Sequence, residues 1–168
     1  LHIEELNTLG GFVGFNYLEA DNSVALLTGS GTALRTNNVT ARFDFSSISV
    51  DTLCFEFVDL GGNEQITING STHLTPAGYG ELTATPINLG GVNVSITGTS
   101  IGSGFVGRVV IIGSVQELII GGQECWIGNV CVVTNESSTA GTAVGVASAV
   151  YCEIDCDYGV DNGYQSFG

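Results

Sequence analysis

The heptapeptide at residues 39–45, Val-Thr-Ala-Arg-Phe-Asp-Phe, alternates apolar and polar side chains without a break. Successive side chains of a β-strand point to opposite faces, so this pattern sends Val39, Ala41, Phe43 and Phe45 to one side. Residues 52–58 repeat it: Leu53, Phe55 and Phe57 share a face, while Cys54 and Glu56 point the other way. Similar β-branched and aromatic runs recur between Gly- and Asn-bearing turns at intervals of about eight to twelve residues, the spacing of a sandwich or barrel. Strands are expected over 12–19, 23–28, 39–45, 52–58, 64–69, 81–85, 92–97, 105–112, 115–120 and 125–133. Helical periodicity is nearly absent, and the helix formers Lys and Met do not occur. The expected fold is all-β: an antiparallel β-sandwich, jelly-roll-like, with one face of each sheet on the core. The pairs Gly61-Gly62, Gly90-Gly91 and Gly121-Gly122 mark its loops.

The chain of 168 residues suits one domain with a real core. The sandwich is expected over residues 1–133. Composition then shifts: 134–141 reads as a linker, 142–154 as a small, apolar, strand-prone arm, and the remainder as an acidic C-terminal segment. The arm either closes the sandwich or pairs with a neighbouring subunit, because an unpaired strand seeks an edge.

Charge narrows the partners. The net charge is −14, with no lysine and three arginines, Arg35, Arg42 and Arg108. A nucleic acid or an anionic membrane requires clustered cations to displace its counterions, so neither is an expected partner. No apolar run reaches the roughly 18–20 residues needed for a membrane-spanning helix, so no membrane insertion is expected. Few charged residues and abundant Gly, Ser, Thr and Asn suit an extracellular or cell-surface protein. Leu1 in place of an initiating Met leads to the expectation of a mature or trimmed form whose export signal is gone.

Cys125 and Cys131 flank the single Trp126. Six steps of extended chain cover about 20 Å, well beyond the roughly 4.4–6.8 Å between disulfide-bonded Cα atoms. They therefore cannot bond each other on one strand, and their even spacing places them on a common face, opposite Trp126, Gly128, Val130 and Val132. Their candidate partners are Cys54, Cys152 and Cys156. Five cysteines leave at least one free or bonded to another chain. The spacings are not those of zinc ligands, and His2 and His73 lie far from every cysteine, which favours structural disulfides in an oxidising compartment.

Catalysis by paired carboxylates, as in glycoside hydrolysis, would draw on Glu56, Asp59, Glu64, Glu117 and Glu124, but the sequence supplies no cleft and a non-catalytic role is expected. At 155–163, Asp155, Asp157 and Asp161 alternate around a turn-permitting Gly159, so that hard oxygens either converge on calcium or form a plain acidic tail. Asn38, Asn69, Asn93 and Asn135 begin Asn-x-Ser/Thr glycosylation sequons.

The stretches FEFVDLGGNEQITING (55–70) and LIIGGQECWIGNVCV (118–132) resemble the jelly-roll β-sandwich domains of secreted bacterial proteins. They are similar to carbohydrate-binding-module-like and galactose-binding-like domains, whose closing strand often reads G-G-x-E-x-W-I-D-N-V. The resemblance spans roughly 12–133 and implies a non-catalytic module for glycan binding or adhesion. Glu124, Trp126 and Asn129 match the motif and become the candidate ligand-binding residues, with Trp126 either a sugar-stacking platform or a core residue. The motif's Asp, which often helps hold a structural calcium, is Gly128 here. The segment 155–163 resembles the calcium loops of dockerins and thrombospondin type 3 repeats, with Gly159 where a third early Asp or Asn is usual and no closing Glu. The alternative expectation is a structural subunit of an extracellular filament or sheath, whose copies join by strand exchange through 142–154 and by an intermolecular disulfide.

Overall fold

The computed structural model describes residues 2–7, 17–27, 32–136 and 147–151. Among these the fold is all-β and antiparallel, a sandwich-like arrangement of the expected class. Eleven strands follow in order: β1 (His2–Asn7), β2 (Tyr17–Asp21), β3 (Ala33–Asp44), β4 (Val50–Asp59), β5 (Glu64–Ile68), β6 (Ser71–Thr75), β7 (Ile87–Leu89), β8 (Val92–Ile101), β9 (Gly104–Val115), β10 (Glu117–Glu136) and β11 (Ala147–Tyr151). The main path of pairing runs β1-β3-β10-β4-β9-β8-β7, with β2 on β3, β5 and β11 on β10, and β6 on β5. Cys152, Cys156, Asp155, Asp157, Asp161 and residues 12–16 of an expected strand lie outside the described residues.

Several elements differ from expectation, each for a local reason. Residues 117–120 of one expected run and the whole of 125–133 are one strand, β10, while Val115 ends β9. Residues 81–85 are not a strand: a 3-10 turn spans Tyr79–Thr83, set between Pro76 and Pro86, and buries Tyr79 and Leu82 three residues apart. β6 was not expected, yet the Asn69-Gly70 pair joining it to β5 takes the left-handed conformation of a tight hairpin, with φ 48 and 79. Within 23–27 only Leu26 makes a strand-like bridge.

The core follows the alternation. Ala41, Phe43 and Phe45 of the β3 run join Leu53, Phe55 and Phe57 of β4, Ile66 and Ile68 of β5, Val109 and Ile111 of β9 and Leu118 and Ile120 of β10 in one buried cluster. Tyr79 closes one end, its ring edge-on to Phe57 with centroids 5.1 Å apart. Its hydroxyl donates to the Gln65 carbonyl at 2.5 Å and accepts from the Gly121 amide at 3.0 Å, tying the turn to β5 and β10.

β10 serves two groups of strands because its backbone departs from regularity twice. Gly121 has φ 131, and a Cβ there would sit 2.8 Å from both the Thr36 hydroxyl and the Val39 carbonyl. The second departure is a β-bulge: Gly128 faces Glu56 and Cys131 faces Cys54, so three steps of β10 match two of β4. Asn129 absorbs the extra residue at φ 52. The bulge corrects one expectation. Cys125 and Ile127 before it and Val132 after it face the main core, whereas Trp126 before it and Cys131 after it face the opposite side. Cys125 and Cys131 thus lie on opposite faces.

The left-handed region penalises a Cβ by about 1–2 kcal/mol. Asn129→Ala is therefore expected to lower the unfolding free energy about 1–2 kcal/mol more than Asn129→Gly, since both lose the same amide. Coincident urea transitions for the two variants would mean that the bulge does not depend on this conformation.

Candidate functional site

The face turned away from the main core carries a row of charged and aromatic side chains in register. Glu19 on β2 stands opposite Arg35 on β3, Arg35 opposite Trp126 on β10, Trp126 opposite Val58 on β4, and Val58 opposite Val106 on β9. The Arg35 guanidinium lies 4.9 Å from the indole centroid, a cation–π contact. It also pairs with Glu19 at 3.1 Å, with Asp21 at 3.7 Å and with Glu124. The indole N–H donates to Asp21 Oδ2 at 2.9 Å. Trp126 is 3% exposed, packed with Leu26, Ala33, Val58 and Val106. Gly128 makes room for Leu26, whose Cδ1 lies 2.4 Å from where a Cβ would sit.

One level along the strands, buried Glu56 accepts from Arg108 at 3.0 Å and from the Asn129 amide at 2.9 Å. Asn129 is thus both the bulge residue and an anchor for Glu56. One level further, Cys54 and Cys131 occupy facing positions beside Val110, both buried. Cys125, by contrast, is a free thiol in the core, and burial pushes its ionisation well above the usual range.

The five acids considered for hydrolysis disperse. Glu56, Glu117 and Glu124 each pair with an arginine, Arg108, Arg42 and Arg35 respectively. Asp59 and Glu64 turn inward, 1% and 0% exposed, at either end of the connection from β4 to β5. Asp59 Oδ2 accepts the Tyr79 amide at 2.7 Å, and Glu64 Oε1 the Glu124 amide at 3.2 Å. Glu64 Oε2 has no hydrogen-bond partner. Burial raises both carboxyls; for Glu64 the value reaches about 8, with the Asp59 charge adding to the effect against the Glu124 amide. Among the described residues no three His, Cys, Asp or Glu side chains gather into a metal-holding group.

The sequons separate by environment. Asn93 is exposed on β8. Asn38 is half-buried with its amide on Asn37. Asn69 spends its amide on the carbonyls of Gly90 and Ser114 and its oxygen on the amides of Gln116 and Glu117, so a glycan there would break a four-bond clamp. The Asn135 side chain lies outside the described residues. Sequence reasoning missed Arg35, Asp21 and Glu19 as members of the outer face; the even spacing of Glu19 and Asp21 was the available signal.

Comparison of the chain with protein-family models, with curated proteins and with solved structures finds no match.

Two titrations probe these environments. The Trp126 N–H is the largest cause holding the Asp21 carboxyl down at about 2, ahead of Ser23 and Arg35. Trp126→Phe is expected to raise that value toward the ordinary 3.8, read from the carboxyl carbon shift by NMR; an unmoved titration would remove the indole from this role. For Glu64, the folded value lies above the ordinary 4.5, so its stabilising share is complete below pH 4.5 and is lost as pH rises toward about 8. In buffer free of divalent cations, unfolding free energy should fall across that window, and Glu64→Gln should flatten the fall.

Proposed function

We propose that this chain is an extracellular, non-catalytic β-sandwich module that binds glycan or mediates adhesion through the outer face around Arg35. The observation that carries this reading is the register Glu19–Arg35–Trp126, with Glu124 and Asp21 alongside, across three adjacent strands. A sheet face presenting a guanidinium between half-exposed carboxylates offers donors and acceptors at strand spacing, the pattern that sugar hydroxyls complement. The sheet fixes these groups, so little ordering entropy opposes binding. Resemblance of the β10 sequence to glycan-binding jelly rolls points the same way. The intramolecular pairing of β11 with β10, Val132 opposite Tyr151 through Glu136 opposite Ala147, favours this reading over strand exchange between copies, because the arm occupies its own sheet.

The extracellular part of the proposal includes a disulfide between Cys54 and Cys131. Directly facing residues of an antiparallel pair have Cα atoms about 4.5–5.5 Å apart, inside the range a disulfide spans. Such a bond closes a long loop and stabilises by about 4 kcal/mol through the unfolded chain.

A glycan array with the full chain is expected to give hits that Arg35→Ala and Glu124→Gln abolish. No hits, together with concentration-dependent polymers in analytical ultracentrifugation, would replace this reading with that of a filament or sheath subunit. Mass spectrometry of non-reduced, unfolded, alkylated chain is expected to leave Cys54 and Cys131 unlabelled and Cys125 labelled. Labelling of all three would remove the disulfide.

A further inference from the structure

Asp59 and Glu64 place two carboxyl groups inside a protein that has no spare cation to meet them. All three arginines are engaged elsewhere, with Glu19, Asp21 and Glu124, with Glu117, and with Glu56. The chain has no lysine. Among the described residues no cationic side chain pairs with Asp59 or Glu64. A buried carboxylate is otherwise tolerated when it is protonated or when it coordinates a metal.

The surroundings of the pair are rich in oxygen. The Leu60–Asn63 connection between the two acids is tied to its neighbours, its Leu60 amide donating to the Glu124 carbonyl at 3.0 Å and its Asn63 amide to the Pro76 carbonyl at 3.0 Å. Two glycines keep this region clear of Cβ atoms. At Gly78, with φ 89, a Cβ would lie 2.8 Å from Asp59 Oδ2 and 3.1 Å from the Gly61 carbonyl oxygen. At Gly122 it would lie 2.2 Å from Glu64 Oε2 and 2.6 Å from the Asn63 carbonyl oxygen. Each glycine position thus adjoins one carboxylate and one peptide carbonyl of the same connection. Backbone amides satisfy Asp59 Oδ2 and Glu64 Oε1 but leave the fully buried Glu64 Oε2 without a partner.

We propose that Asp59 and Glu64, with the peptide carbonyls of Gly61 and Asn63, form an internal site for a hard divalent cation, calcium. Two carboxylates and two carbonyls are an all-oxygen donor set of the kind calcium takes, with water completing the shell. A bound dication offsets the charge that desolvation otherwise penalises, and gives Glu64 Oε2 a partner. It also locks the β4–β5 connection to β10 and to the Tyr79 turn. The site is separate from the 155–161 aspartates and from the Gly128 position, which faces Leu26 on the other side of β10.

The test is thermal unfolding of the chelator-treated full chain at pH 7, with and without calcium, on three proteins: wild type, Glu64→Gln, and a tail variant carrying Asp155→Asn, Asp157→Asn and Asp161→Asn. Calcium at a hundredfold excess over its Kd is expected to raise the midpoint of the wild type and the tail variant by about 5–10 °C. Glu64→Gln is expected to show no calcium shift while melting in chelator no lower than the wild type, because it buries no charge. The second readout separates loss of a ligand from loss of the fold. A calcium shift that survives in Glu64→Gln, or one lost only in the tail variant, would overturn the proposal. So would a midpoint that follows pH but ignores calcium and chelator, which would assign the pair a proton instead.

Discussion

Backbone hydrogen bonding along β10 is the constraint on which the rest of the molecule depends. Twenty residues from Glu117 to Glu136 pair with β3 and β5 in their first part and with β4 and β11 in their last. Drawn straight, such a strand would run about 65 Å, longer than a domain of this size is wide. Its regularity is interrupted at Gly121, where φ is 131, and at Asn129, where it takes up one extra residue. Both irregularities reassign faces. Without the bulge, Cys131 would follow Cys125 into the main core and Val132 would turn outward. With it, Val132 completes the core and Cys131 meets Cys54.

The strongly acidic composition is resolved in two ways. On the outer face, three arginines hold the carboxylates that lie across the strands from them, and Arg35 gathers three acids around Trp126. The partly exposed pairs of Arg35 and Arg42 contribute little to stability individually, but they fix the side chains in one geometry. Inside, Asp59 and Glu64 cap backbone amides at the end of the sandwich where β4 passes to β5, and Tyr79 closes that end by hydrogen bonds rather than by apolar packing alone. Asp21 on the outer face is held ionised by its donors, whereas Asp59 and Glu64 inside are pushed toward the neutral form by the loss of water. Similar residues therefore have opposite chemistry according to which side of the sheet they occupy.

Much of this was legible in the chain. The alternation at 39–45 and 52–58 identified the core faces of β3 and β4, because a period of two in a half-buried strand leaves little choice of side. Cys54 and Glu56 pointed outward as read. The closing-strand motif marked out Glu124, Trp126 and Asn129, and these lie at or beside the outer cluster. The 81–85 run was misread because its β-branched residues outweighed the two prolines that make it a turn. The missed β6 shows the reverse, a strand of ordinary polar residues imposed by the Asn-Gly hairpin before it.

The all-β character, the faces of the regular strands and a charge balance with almost no cations were already written in the order of residues. These follow from local rules: side-chain alternation, turn chemistry and counting. Tertiary structure alone decided that Arg35 covers the indole, that Cys131 faces Cys54, and that Asp59 and Glu64 are sealed from water. Each depends on strand register, and at Asn129 one additional residue inverts the faces of everything that follows. A bulge of that kind is chosen by the fit of the whole sheet, so no local pattern in the chain announces it.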